Sequence, residues 1–125
     1  MINARKAIYA ALTSAMTCSV YFNNAPENAA FPYVIYDIEV VTRQDFVDSC
    51  EMEINVVDHS RNTATAETIC DSVIAAFDHQ IINSDGVLFE AYFERKNIVN
   101  AEDRNIVRRR LVFNFNLYNN GGTQQ

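Results

Sequence analysis

Glycine is nearly missing from this chain: three occur in 125 residues, and two of them, Gly121 and Gly122, are neighbours near the C-terminus. A loop that wraps a phosphate needs several backbone positions free of a Cβ, so no Gly-rich nucleotide cradle is available. Cysteine is just as sparse. Cys18, Cys50 and Cys70 are odd in number and far apart, which fits buried free thiols in a reducing compartment and not a disulfide framework. His59 and His79 lack the paired Cys/His spacing of a zinc site. Positive charge is short as well: 10 Lys and Arg against 16 Asp and Glu leave a net charge of -6. That argues against a free nucleic-acid binder or a membrane-surface protein, both of which need a basic face. No apolar run reaches the roughly 20 residues of a membrane span. Arg5 and Lys6 ahead of an Ala/Leu-rich stretch mimic a signal peptide, but Thr13, Ser14 and Thr17 interrupt the run too soon.

What is present is alternation and one strong amphipathic stripe. In residues 63–78, Ala66, Ile69, Cys70, Val73 and Phe77 recur at three- and four-residue steps, so they share one face of a helix. Asn62 or Thr63 is placed to cap its first turn. Thr65, Glu67, Thr68, Asp71 and Ser72 fall on the wet side. A second stripe, Ala4, Ile8, Ala11, Leu12 and Ala15, predicts a first helix over 3–18. A brief extended piece, Val20-Tyr21-Phe22, leads into the turn-rich Asn23-Asn24-Ala25-Pro26.

Four segments alternate with period two. In 33–41, Val34, Tyr36, Ile38 and Val40 face inward, with Asp37 and Glu39 outward. In 50–58, Met52, Ile54 and Val56 face inward, with Glu51, Glu53 and Asn55 outward. In 87–95, Val87, Phe89, Ala91 and Phe93 oppose Glu90 and Glu94. In 106–118, Leu111, Phe113, Phe115 and Leu117 alternate with Arg108, Arg110, Asn114 and Asn116. Each large apolar group is worth roughly 1.5–3 kcal/mol when buried, so a one-residue slip of the last segment is strongly disfavoured.

These elements predict an α+β fold in the order α-β-β-α-β-β. The sheet is mixed and mainly antiparallel, of about four main strands, with both helices packed on one face. Inward faces stay together if Val40 pairs with Met52 and Ile38 with Ile54, and if Phe89 pairs with Phe113 and Ala91 with Leu111. One domain over 1–120 and a frayed tail over 121–125 complete the expectation.

Catalytic chemistry finds little support. Asp58-His59-Ser60 holds triad residue types, but a triad depends on convergence in space and not on adjacency, and His59 reads as a strand-end or loop residue. No cofactor is implied, and the chain does not read as an enzyme. The polar sheet face says more. Asp37, Glu39, Glu51 and Glu53 crowd one hairpin, while Arg108 and Arg110 project from the same face of the last strand, near Glu94 under the expected pairing. Either these groups form a solvated face with weak internal pairs, or an acidic edge on one copy meets a basic strand on the next. A carboxylate acid–base pair or divalent-cation site ranks third. The connections 42–49 and 96–105 each carry an apolar pair, Phe46-Val47 and Ile98-Val99. Either the ladders run on and the pairs cap the core, or the pairs are anchors for another protein.

In order along the chain, the helix, the turn, Phe31-Pro32-Tyr33-Val34-Ile35-Tyr36, the strand ending Val56-Val57-Asp58, the Thr/Ala-rich helix and the final Arg108-Arg109-Arg110-Leu111-Val112-Phe113-Asn114-Phe115 resemble the tail terminator or tail-completion proteins of long-tailed bacteriophages. The resemblance spans nearly the whole chain and rests on no single motif. It implies a structural virion protein at the head–tail interface, assembled in the host cytoplasm. Such a protein forms a homo-hexameric ring on the tail-tube protein, ends tube polymerisation and joins the tail to the head-connector protein. DNA passes through the lumen without specific binding, and no membrane is involved. The alternative is a small dimeric α+β domain with a ligand-binding or regulatory role.

Overall fold

The computed structural model describes residues 2–43, 46–60, 62–84, 86–100 and 103–118. The tail expected over 121–125 lies outside them. Helix α1 spans Ile2–Ala15, and strands β1 (Ser19–Phe22), β2 (Tyr33–Arg43) and β3 (Val47–His59) follow. Helix α2 (Ala64–Phe77) precedes β4 (Ile81–Ser84), β5 (Val87–Val99) and β6 (Ile106–Tyr118). The six strands form one sheet in the order β1-β2-β3-β6-β5-β4. Among the described strands, β1–β2 is parallel and the other four pairings are antiparallel.

The fold class therefore stands as α+β with a mixed, mainly antiparallel sheet, but the sheet has six strands and not four. The two additions are its edges. Both β1 and β4 are four residues long, too short to display a period, and Ile81-Ile82-Asn83-Ser84 does not alternate. The segment 20–22, read as merely extended, lies inside β1 and pairs with β2, and the turn at Gly86 (φ +79°) joins β4 to β5.

α2 packs on β3, β5 and β6, the middle of the sheet, through Ala66, Cys70, Val73 and Phe77, all fully buried. Helix α1 touches α2 and also both edge strands, β1 and β4. A helix is roughly 10–12 Å across, and a flat six-stranded sheet would separate its edges by more than about 20 Å. The sheet must therefore curl around the helices, which leaves its open face convex. Aromatic rings fill the core between helix and sheet: Phe113 lies 5.8 Å from Phe77 and 5.4 Å from Phe93 between centroids. The Tyr36 hydroxyl donates to the Arg5 carbonyl at 3.2 Å, and the Arg5 guanidinium lies 4.6 Å from the centre of the Phe22 ring. Together these tie α1 to β1 and β2.

Caps fix the ends of α2. The Asn62 carboxamide oxygen accepts from the Ala64 N–H at 2.8 Å, whereas the Thr63 side chain makes no capping bond. Past the last turn, Asp78 Oδ1 accepts from the Phe93 N–H at 2.9 Å, pinning the helix end to β5.

The inward faces are as the alternation predicts, but both hairpin registers differ. Val40 pairs with Cys50, not Met52, and Ala91 with Phe115, not Leu111. Slips by an even number of residues keep every side chain on its own face, so the pattern alone cannot tell such registers apart. Bulges between Val40 and Thr42 and between Phe93 and Arg95 shift the ladders again further along. The expected long connections 42–49 and 96–105 are mostly ladder, since Arg43 faces Asp48 and Val99 faces Arg108.

Candidate functional site

The open face of the sheet gathers the polar residues singled out in the sequence. Asp37 stands opposite Glu53 and Glu39 opposite Glu51, so four carboxylates form two adjoining rows on β2 and β3. They border a shallow depression of about 330 Å³. Burial, and then the Glu53 charge, hold the Asp37 carboxyl above the usual carboxylate range. Among the described residues, no group of three or more His, Cys, Asp or Glu is placed to hold a metal ion.

Of the outward arginines of β6, Arg110 lies beside these carboxylates and Arg108 beside Asn55, and neither pairs with Glu94. Arg110 Nε is 3.2 Å from Glu53 Oε1, an ion pair whose angle is too poor for a hydrogen bond. Arg108 Nε donates to the Asn55 side-chain oxygen at 3.1 Å. Glu94 instead accepts from Asn114 and pairs with Arg95. The expected contact with Glu94 fails because the β5–β6 register places Asn97 and Val99 opposite Arg110 and Arg108. Part of the acid–base complementarity is thus used within one subunit. Glu39 and Glu51 have no cation beside them among the described residues.

The two apolar pairs occupy opposite ends of the sheet. Val47 begins β3 opposite Tyr118, and Phe46 just before it is 57% exposed. Ile98 and Val99 end β5, with Ile98 71% exposed. Neither Phe46 nor Ile98 caps the core, although both ladders do run on. The strands between these ends cover roughly 40 Å.

Two further features had no place in the alternation reading. Ile81, Leu88, Tyr92 and Tyr118, all exposed, border a depression of about 260 Å³ on the open face, with Glu90 at its rim. Leu88 and Tyr92 flank Glu90 in β5 at outward positions, and this lapse in polarity was the available signal. On the helix side, Glu67 is not simply wet. Lys96 Nζ and Arg109 Nε donate to its two oxygens at 2.6 and 2.7 Å, joining α2 to β5 and β6. These hydrogen bonds, that from Lys96 foremost, hold the Glu67 carboxyl below its ordinary range.

Asp58, His59 and Ser60 do not converge. Asp58 Oδ1 accepts from the His59 backbone at 2.8 Å, the His59 ring lies 3.6 Å from Asp103, and Ser60 Oγ accepts from the Asn62 N–H. His59 is the last residue of β3.

No family model and no curated protein matches the chain. Among solved structures, a chain from the virion of a native gene transfer agent (GTA) particle superposes with a TM-score of 0.74 at 19% identity. The match covers 91% of this chain and 93% of that one. A second solved chain, known by a serial designation alone, gives a TM-score of 0.65 at 15% identity, covering 90% of this chain and 94% of its own. At these identities the likeness establishes a shared fold over nearly the full length.

Proposed function

We propose that this chain is a structural subunit of a phage-like particle. It forms a ring on the end of the tail tube, stops tube polymerisation and joins the tail to the head connector. The observation that carries the reading is the end-to-end likeness to a chain of a gene transfer agent virion. The surface supports it. An open sheet face bears carboxylates at Glu39 and Glu51 with no cation beside them among the described residues, and exposed apolar groups at Phe46 and Ile98 mark its two ends. A subunit that bridges tube and connector needs two such ends, and a ring needs two unlike lateral surfaces. Ring closure takes about 800 Å² from each partner. Within this reading Asp37, Glu39, Glu51 and Glu53 on one copy, Arg108 and Arg110 on the next, and the pairs Phe46-Val47 and Ile98-Val99 form the contacts. The acidic surplus suits a lumen through which DNA slides, since fixed cations there would grip phosphates.

The alternative is a small dimeric ligand-binding or regulatory domain. In its favour is the depression beside Tyr92. A ligand site encloses most of its occupant, however, and Ile81 and Tyr118 on this rim are themselves 68% and 61% exposed.

Cryo-microscopy and light scattering of the protein, alone and with tail-tube protein, test the proposal. Rings seated on tube ends, with tubes of limited length, are the expected result. A dimer that never forms rings and leaves tube growth unchanged refutes it, and an arginine-lined bore refutes the sliding-lumen element.

A further inference from the structure

Helix α1 carries Arg5 and Lys6 and no Asp or Glu. Arg5 is taken up over the Phe22 ring, whereas Lys6 stands exposed with no carboxylate beside it among the described residues. Ile2, Lys6 and Tyr9 follow one another at four and three residues, so they share one outward face, and all three are exposed. Ile2 and Tyr9 are about 10 Å apart along the axis. The neighbouring helix α2 adds Glu67, already held by Lys96 and Arg109, and Asp71, so the basic character belongs to α1 alone. On the opposite layer, the open sheet face, Leu88, Glu90 and Tyr92 point outward along β5, with Leu88 and Tyr92 about 13 Å apart. They border the depression that Ile81 and Tyr118 complete, and neither a Lys or Arg nor any residue of α1 lines it. Glu90 keeps 38% exposure, with only the Tyr92 hydroxyl (2.9 Å) and His79 (3.9 Å) beside it among the described residues.

We propose that the outward face of α1 on one copy docks on the β5 depression of a second copy, with Lys6 against Glu90 and with Ile2 and Tyr9 against the apolar groups on either side. The two surfaces match in order, in length and in sign. Each reads apolar, charged, apolar over a similar span, and the charges are opposite. Anchors on one helical face laid in an apolar groove are a common mode of recognition, and an aromatic ring held among tyrosines carries much of the energy of such a contact. Within one chain the helix layer and the open face lie on opposite sides of the sheet, so neither surface can satisfy the other. The contact is therefore heterologous. A pair of copies still offers one free helix face and one free depression, and association continues until a ring closes. The inference deepens the ring reading and rests on it.

A charge-swap cycle on the full chain tests it, with assembly followed by light scattering in the presence and absence of tail-tube protein. Lys6→Glu and Glu90→Lys are each expected to keep the wild-type circular dichroism and to raise the concentration needed for assembly by about tenfold or more. The double variant is expected to return it to within about threefold of wild type. In a Cys18→Ser background, Lys6→Cys and Glu90→Cys proteins are purified separately and treated with a short bis-maleimide, alone and mixed. Cross-linked dimer appearing only in the mixture is expected. Self-cross-linking of either cysteine variant overturns the heterologous contact. Single charge variants that assemble as wild type does, or a double variant that assembles no better than they do, overturn the inference and leave the ring reading standing. Wild-type chain that stays monomeric with and without tail-tube protein overturns both.

Discussion

Arg109 is the one arginine of its run that turns toward the helices, and its Nε meets Glu67 on α2 at 2.7 Å with only 11% of its side chain exposed. Lys96 of β5 shares the same carboxylate. A helix and two strands are thereby held by one anion and two cations. Glu67→Gln leaves the Arg109 cation poorly compensated, and we expect a loss of about 1–3 kcal/mol, discounted from a fully buried pair because Glu67 is about one-third exposed. Urea unfolding at pH 7 measures it. The pH dependence has a definite sign. A carboxyl whose folded-state value is depressed contributes stability that is present above its unfolded value and lost as pH falls through the folded one. The gap between wild type and Glu67→Gln should therefore shrink below about pH 4.

That clamp marks where the sequence stops being readable. The inward faces of the long strands were legible because Leu111, Phe113, Phe115 and Leu117 form a period that only one face can bury. The α2 stripe was legible for the same reason, and the acidic rows followed from the alternation of 33–41 and 50–58. Arg109 shares the parity of Leu111, but three successive arginines read as a polar run, and its partner on the helix side, Glu67 of α2, cannot be seen in the alternation. The edge strands were hidden because four residues carry no period. Val112 reads as an outward position, yet it is fully buried. Its neighbours across the ladder are Glu53 and Arg95, and long side chains of this kind cover an apolar group with their stems. The depression beside Tyr92 was hidden for a different cause: its walls come from three strands whose order cannot be read from any one of them.

Phe113 is fully buried between the rings of Phe77 and Phe93. It joins the central helix to the central pair of strands. Phe113→Ala should cost about 3–5 kcal/mol, a transfer loss plus an unfilled cavity. Thermal unfolding followed by circular dichroism should show a fall of many degrees or no folded state at all. Phe113→Leu should recover most of the loss.

Burial pushes the Cys50 and Cys70 thiols up to about 11, and it raises Cys18 as well. At pH 8 almost no thiolate is present at Cys50 or Cys70, and the thiolate is the reactive form. A disulfide reagent should therefore modify Cys18 first in the folded protein. Cys50 and Cys70 should react only as fast as the chain opens, and all three should react at once in denaturant. Equal rates at all three in native buffer would contradict the packing under α2.

Asp37 and Glu53 face each other on the open side, and burial together with that like charge raises the Asp37 carboxyl. A carboxyl raised in the folded state favours folding while protonated, below its unfolded value, and that contribution is lost as pH rises through the folded value. Asp37→Asn should therefore stabilise the lone subunit at neutral pH by a few tenths of a kcal/mol to about 1 kcal/mol, and the gain should vanish in acid. Assembly should respond in the opposite direction. If the acidic rows meet cations of a neighbouring copy, removing this carboxylate weakens the ring while it firms the subunit. Urea midpoints and light scattering on the same sample separate the two effects. A variant that is more stable and assembles as well as wild type would show that these carboxylates serve solvent and not a neighbour.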